Sequence, residues 1–238
     1  MFLRYTTSIA VAILSLLFLP ARSQAQEQPT PEKKEQGAMI RILCVQSLSG
    51  DKDETITLAQ KAEDGKWTEF GDLELRSPFI TNWLRVPAGV NHVVRKQGGE
   101  FVSLASFTVL PEMKGAILIL IPNMKERKYR LQLIDPAKLE FQKGKALVVN
   151  YSKIPALVNM GNKTTTVAPG QQYVETIKAD KDGMHRMVIG HLDKDKKIIP
   201  CYDRFVSSDP ETRKFVLLFP DPDTGLRAMT LSEFDTNQ

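Results

Sequence analysis

The sequence predicts an all-β protein: two antiparallel β-sandwich (Ig-like) domains in tandem, residues 38–135 and 136–238. Three observations lead there. Apolar residues recur with period two in stretches of strand length, and no longer stretch carries the 3.6-residue apolar period of a helix. Turn-forming clusters break the chain at intervals of about 8–12 residues. The second half echoes the first at an offset of 98 residues.

The elements follow in order. "MIRILCVQSL" (Met39 to Leu48) is β-branched and apolar, and "GDKDE" after it is turn chemistry. "TITLAQ" (Thr55 to Gln60) alternates with period two, an Asp64-Gly65 turn follows, and "WTEFGDLEL" (Trp67 to Leu75) alternates again. Phe79 to Leu110 reads as three strands separated at Pro87-Ala88-Gly89 and Gln97-Gly98-Gly99. "GAILILIP" (Gly115 to Pro122) and "KYRLQLID" (Lys128 to Asp135) complete the first half. "DPAKLEFQKG" (Asp135 to Gly144) fits a connector or a single helical turn. In the second half, "KALVVNYS" (Lys145 to Ser152) and "KTTTVAPGQQYVETI" (Lys163 to Ile177) carry strand and turn signals. "MHRMVIGHL" and "KKIIPCYDRFV" flank a hairpin loop at "DKDK", and "KFVLLF" and "LRAMTLSEF" flank another at "PDPDTG".

In the echo, Ile117 to Asp135 aligns without a gap on Phe215 to Glu233, so that Pro122 falls on Pro220, Leu131 on Met229 and Leu133 on Leu231. At an offset of 104, Arg41 to Leu48 aligns on Lys145 to Ser152, which makes "VVNYS" the counterpart of the chain's first strand. Two β-domains of about 100 residues each are the expected result, a common domain size.

Residues 1–25 pair a basic Arg4 with an apolar run from Ile9 to Leu19 and small residues before Gln26, the pattern of a secretory signal peptide. That run is shorter than the roughly 20 residues a spanning helix needs, and no later segment is longer. Residues 26–37 are polar and proline-containing, a disordered tether. The expected location is therefore the periplasm, the cell surface or the exterior. The formal charge of +4 falls to +2 when Arg4 and Arg22 leave with the signal. Lysines and acids are interspersed, as in "DKDGMHR", which argues against a nucleic-acid partner.

The sequence carries no catalytic constellation. Serines lack a Gly-x-Ser-x-Gly elbow. His185 and His191 sit six residues apart on one strand, roughly 20 Å at 3.3 Å per residue, too far to share one metal ion. The pairs Asp51/Asp53, Asp180/Asp182, Asp193/Asp195 and Asp221/Asp223 read as turns. No metal, cofactor or catalytic residue is expected. Cys44 and Cys201 are candidates for a disulfide in an exported chain, and each also fits as a small buried hydrophobe. Asn150-Tyr151-Ser152 and Asn162-Lys163-Thr164 match the glycosylation sequon, with a strand Asn and a turn Asn as the alternative. Trp67, Phe70, Phe79 and Trp83 alternate with polar residues and so fall on the apolar, core-facing side. Exposed instead, Trp67, Trp83 and Tyr173 would be candidate ligand-stacking residues.

The segment Val109 to Gln171 resembles a group of exported proteins from verrucomicrobial and planctomycete-type bacteria, through Leu110-Pro111, Phe141, Gly144, Asn150, Ser152 and Pro169-Gly170. These are strand and turn residues. The resemblance implies a fold and carries no site residues.

The functional expectation is an exported, non-catalytic interaction or structural module. It would bind a protein or cell-envelope partner through an edge strand, a sheet face or a loop rim. A carbohydrate-binding module built on Trp67, Trp83 or Tyr173 is the alternative, and a hydrolase with a carboxylate pair the second.

Overall fold

A computed structural model describes residues 37–50, 54–75, 78–161, 163–178 and 181–233. The expected signal peptide and all but the last residue of the tether lie outside them. So do Asp51, Asp53, Asp180 and Asn162. The described residues contain strands and turns and no helix, as the sequence predicts, and Glu35–Gln238 forms one compact unit.

The first half contributes β1 (Gly37–Cys44), β2 (Glu54–Lys61), β3 (Trp67–Leu75), β4 (Phe79–Ile80), β5 (Leu84–Pro87), β6 (Gly89–Gln97), β7 (Glu100–Val109), β8 (Gly115–Asn123) and β9 (Lys128–Ile134). The second contributes β10 (Lys145–Asn150), β11 (Ala156–Met160), β12 (Lys163–Val167), β13 (Gln172–Thr176), β14 (Met184–Leu192), β15 (Ile198–Ser207), β16 (Arg213–Asp221) and β17 (Gly225–Glu233). Two differences from the sequence reading stand out. The stretch expected as one strand from Phe79 is broken into β4 and β5, because Thr81 turns both its backbone N–H and its hydroxyl to the Ile42 peptide. The short β11 lies in a segment the sequence pattern left unassigned.

Four sheets result. The first outer sheet has the order β3-β2-β6-β7, and the first inner sheet β4-β1-β8-β9 with β5 also on β1. The second inner sheet has the order β13-β10-β16-β17, and the second outer sheet β12-β11-β14-β15. Pairing is antiparallel except at the centre of each inner sheet. There β1 runs parallel to β8, and β10 parallel to β16. The internal echo is thus topological. Hairpins β8–β9 and β16–β17 correspond at 98 residues, and the parallel ladders fix the first strands at an offset of 106, since Leu43 sits opposite Ile119 and Val149 opposite Leu217.

The parallel pairs explain the continuous apolar runs. A strand covered on both faces has no polar side to alternate with. In β1 and β8, Ile40, Ile42, Leu118 and Leu120 pack towards the first outer sheet, while Leu43, Ile117 and Ile119 point the other way. In β10 and β16, Val148, Val216 and Leu218 pack towards the second outer sheet, while Leu147, Val149, Phe215 and Leu217 point back. A third core therefore fills the space between the two inner sheets, centred on Phe141 and Phe215, whose rings meet edge to face at 5.2 Å. Phe141 comes from the connector, where Leu139 N–H bonds the Asp135 carbonyl at 3.2 Å and closes a single helical turn.

Candidate functional site

Among the described residues a cluster of buried charged groups lies at one end of the third core. Arg41 points inward from β1 and Glu233 from β17; both are almost fully buried, and Arg41 Nη1 donates to Glu233 Oε1 at 2.6 Å. Arg213 on β16 donates to the same carboxylate through Nε at 2.5 Å and Nη2 at 2.8 Å. Arg41 Nε also donates to the Thr81 carbonyl at 2.7 Å. Its guanidinium lies 5.5 Å from the centre of the Trp83 ring, and that of Arg213 lies 5.4 Å from Phe141. Together with Lys143 and Glu211 these side chains border a small cavity of about 80 Å3. Both oxygens of the Glu233 carboxylate accept from an arginine, and the Arg41 bond ties the halves together. A second polar tie runs from Tyr151, which stacks on Phe219 and donates to Gln132, on to Gln172, whose Oε1 accepts from Gln132 at 2.6 Å.

The motif "VVNYS" proves to be a latch. Asn150 is fully buried; its amide donates to the carbonyls of Ile154 and Val167 at 2.9 and 2.8 Å, and its Oδ1 accepts from the N–H and hydroxyl of Ser152. The sequon at Asn150 is thus a buried strand Asn. A second buried carboxylate, Glu54, had no sequence signal. It accepts from Leu48 N–H and the Tyr129 hydroxyl, each at 2.8 Å, and from Arg95. Burial, then that bond, pushes the Tyr129 phenol upward.

The candidate stacking residues are not brought together. Trp67 sits half-buried on the solvent face of the first outer sheet, 5.1 Å from His92 edge to face and 5.6 Å from Phe101, with Lys61 Nζ 5.5 Å from its ring centre. This corrects its expected place on the core side. A bulge at Leu58/Ala59 shifts the register within β3, so Phe70 packs on the core and Trp67 lies outside. Trp83 lies by β5 with Arg41 against its ring, and Phe79 is exposed. Tyr173 on β13 packs against the second core, and burial raises its phenol to about 12. The two cysteines are free, so the Cys44–Cys201 disulfide is not formed. Cys44 belongs to the first core and Cys201 packs against the second. Burial, with a smaller push from Glu54, raises the Cys44 thiol to about 12; burial also raises Cys201. The acid pairs inside the described residues are turn caps: Asp193 accepts from Asp195 and Lys197 N–H, and Asp221 from Asp223 and Thr224 N–H. Among the described residues no three His, Cys, Asp or Glu side chains converge on a metal-binding point. No helix there is long and apolar enough to cross a membrane.

What the sequence pattern missed is a surface. On the β14–β15 hairpin, Leu192, Ile198, Ile199 and Phe205 are large apolar side chains in solvent, with Ile198 60 % and Phe205 62 % exposed. Leu192 and Ile198 are directly opposite each other across the ladder. Beside them, Leu157, Thr166, His191 and the prolyl turn Ile154-Pro155 border an open cavity of about 620 Å3. The backbone is built tightly here. A bulge at Ile189/Gly190 brings β15 so close that a Cβ on Gly190 would lie 2.4 Å from the Ile199 carbonyl oxygen. Leu192 keeps the parity of the solvent-exposed Arg186 on β14, opposite to the core-facing Met187 and Ile189, so the pair it makes with Ile198 stands on the solvent face.

No family model matches the chain, and the search of curated proteins found no match to it.

Proposed function

We propose that this chain is an exported, non-catalytic binding module that holds a protein partner of the cell envelope against the solvent face of its second outer sheet. The observation that carries the reading is the cross-strand pair Leu192 and Ile198, both in solvent at one hairpin end beside an apolar-walled cavity. Apolar side chains scattered singly are ordinary on a surface, whereas a contiguous group next to a concavity marks a contact site. Burying a large aliphatic side chain contributes about 1.5–3 kcal/mol, so two half-exposed ones give a partner a worthwhile anchor. The occupant that fits is a protein segment presenting aliphatic or aromatic side chains. A glycan fits less well, because the Trp67 and Trp83 rings already carry Lys61 and Arg41 nearby. Export follows from the signal-like residues 1–25.

The test is affinity capture from solubilised envelope with the wild-type protein and, in parallel, with a Leu192→Asp/Ile198→Asp double variant. Both positions are in solvent, so the fold should lose no more than about 0.5 kcal/mol per site. A partner held by the wild type and lost by roughly tenfold or more in the variant supports the assignment. A partner held equally by both places the contact elsewhere, and no partner from either sinks the reading.

A further inference from the structure

The inner face of the second outer sheet holds a group of soft donors that the partner surface does not use. His185 on β14 is 4 % exposed. Its Nδ1 lies 3.1 Å from the Lys178 carbonyl oxygen. A carbonyl only accepts, so Nδ1 carries the proton and Nε2 presents a bare lone pair. That Nε2 is buried and has no hydrogen-bond partner in the protein. Leaving a buried acceptor unmet costs about 1–3 kcal/mol, and such an atom calls for an explanation.

Two thioethers share its face. Met187 follows His185 by two residues on β14, which places both on the same side of the strand. Met160 on β11 is directly opposite Met187 across the ladder. Directly opposed residues have Cβ atoms about 5 Å apart and diagonal ones roughly 7–8 Å apart, within reach of unbranched side chains. Met187 and Met160 are 0 % and 6 % exposed, and Met160 and His185 both border an open cavity of about 630 Å3 that provides an entry. Gly161, with φ of 68°, leaves room for the imidazole, since a Cβ there would lie 3.3 Å from His185 Cε1. An imidazole whose other nitrogen donates to a backbone carbonyl is the usual arrangement of a metal-ligating histidine.

The geometry points to a soft-metal site formed by His185 Nε2 and the sulfurs of Met160 and Met187, with the chemistry to take a monovalent d10 cation, Cu(I). Thioether ligands select Cu(I) over Zn(II), Mg(II) and Ca(II), which prefer harder donors. The site is independent of the solvent-face contact proposed above, so either can fail without the other.

The probe is Ag(I), a redox-inert monovalent cation, titrated into the purified protein carrying Cys201→Ser so that the half-buried thiol does not compete. The readouts are the methionine methyl and histidine Cε1–H signals in NMR, and affinity against a competing chelator. One equivalent should move the Met160, Met187 and His185 signals and leave the remaining methionines in place, while Zn(II) moves none of the three. A Met160→Leu/Met187→Leu variant conserves volume and keeps the core. It should bind Ag(I) more weakly by about tenfold or more, as should His185→Gln. Absence of shifts at these residues, or unchanged affinity in the folded Met160→Leu/Met187→Leu variant, overturns the site.

Discussion

Removing the charge on Glu233 is the sharpest probe of how the two halves are joined. In Glu233→Gln the side chain keeps its shape and one acceptor, but Arg41 and Arg213 lose their shared anion. Arg41 is almost fully buried; it also donates to the Thr81 carbonyl and lies against the Trp83 ring. Three charge-assisted hydrogen bonds at 2.6, 2.5 and 2.8 Å are replaced by at most neutral ones. Breaking a buried pair by removing one partner costs about 3–5 kcal/mol, because a desolvated charge is left behind. The lower end applies here, since Arg213 is partly exposed and both guanidinium groups keep an aromatic neighbour. Equilibrium denaturation followed by far-ultraviolet circular dichroism and by tryptophan emission measures the loss. Both tryptophans belong to the first half while Glu233 belongs to the second, so a shift of the tryptophan midpoint reports coupling directly. Pairing Glu233→Leu with Arg41→Met should recover part of the loss, as an apolar replacement of the pair removes both charges. A loss below about 1 kcal/mol, the size of an exposed ion pair, would refute the reasoning.

Three further outcomes follow from the geometry. Asn150→Ala leaves the Val167 carbonyl and the Ser152 N–H short of partners, while the Ser152 hydroxyl still donates to the Ile154 carbonyl, and should cost roughly 2 kcal/mol in denaturant; a change under about 0.5 kcal/mol contradicts the latch. Alkylation of the native protein should reach Cys201 slowly and Cys44, with its thiol at about 12, only on unfolding; a non-reduced mass two hydrogens short would reveal the disulfide instead. Burial, and to a lesser degree Lys61, holds the His92 imidazole below its ordinary 6.5. The unfolded chain therefore binds this proton more readily, and stability at this site is lost as pH falls below about 6.5. An NMR titration midpoint at or above 6.5 for His92 would contradict that.

Much of the strand content was legible because period two and turn chemistry are local signals. "WTEFGDLEL" was delimited to its ends as β3, and the hairpins at "DKDK" and "PDPDTG" form where expected. The parallel pairings were not legible. They join β1 to β8 and β10 to β16 across more than 60 residues, and the sequence shows only their consequence, runs such as "ILILI" with no polar face. The echo of the first strands was placed at 104 where the ladders put it at 106. A slip of two leaves every side chain on its own face, so alternation cannot detect it. The place of Trp67 failed for a related reason, since a bulge reverses the alternation and has no reliable signature of its own. The buried pairs Arg41–Glu233 and Glu54–Tyr129 are far apart in sequence, and nothing distinguishes these acids from the other 26.

The central functional claim is that the exposed hairpin end of the second outer sheet is the contact surface. Site-specific photocrosslinking in the intact envelope tests it most directly, with the photoreactive residue placed at Ile198 or at Val90, an apolar position of comparable exposure on β6. The account predicts a discrete adduct from Ile198 and none from Val90. Adducts of equal yield at both positions, or at Val90 alone, would contradict it.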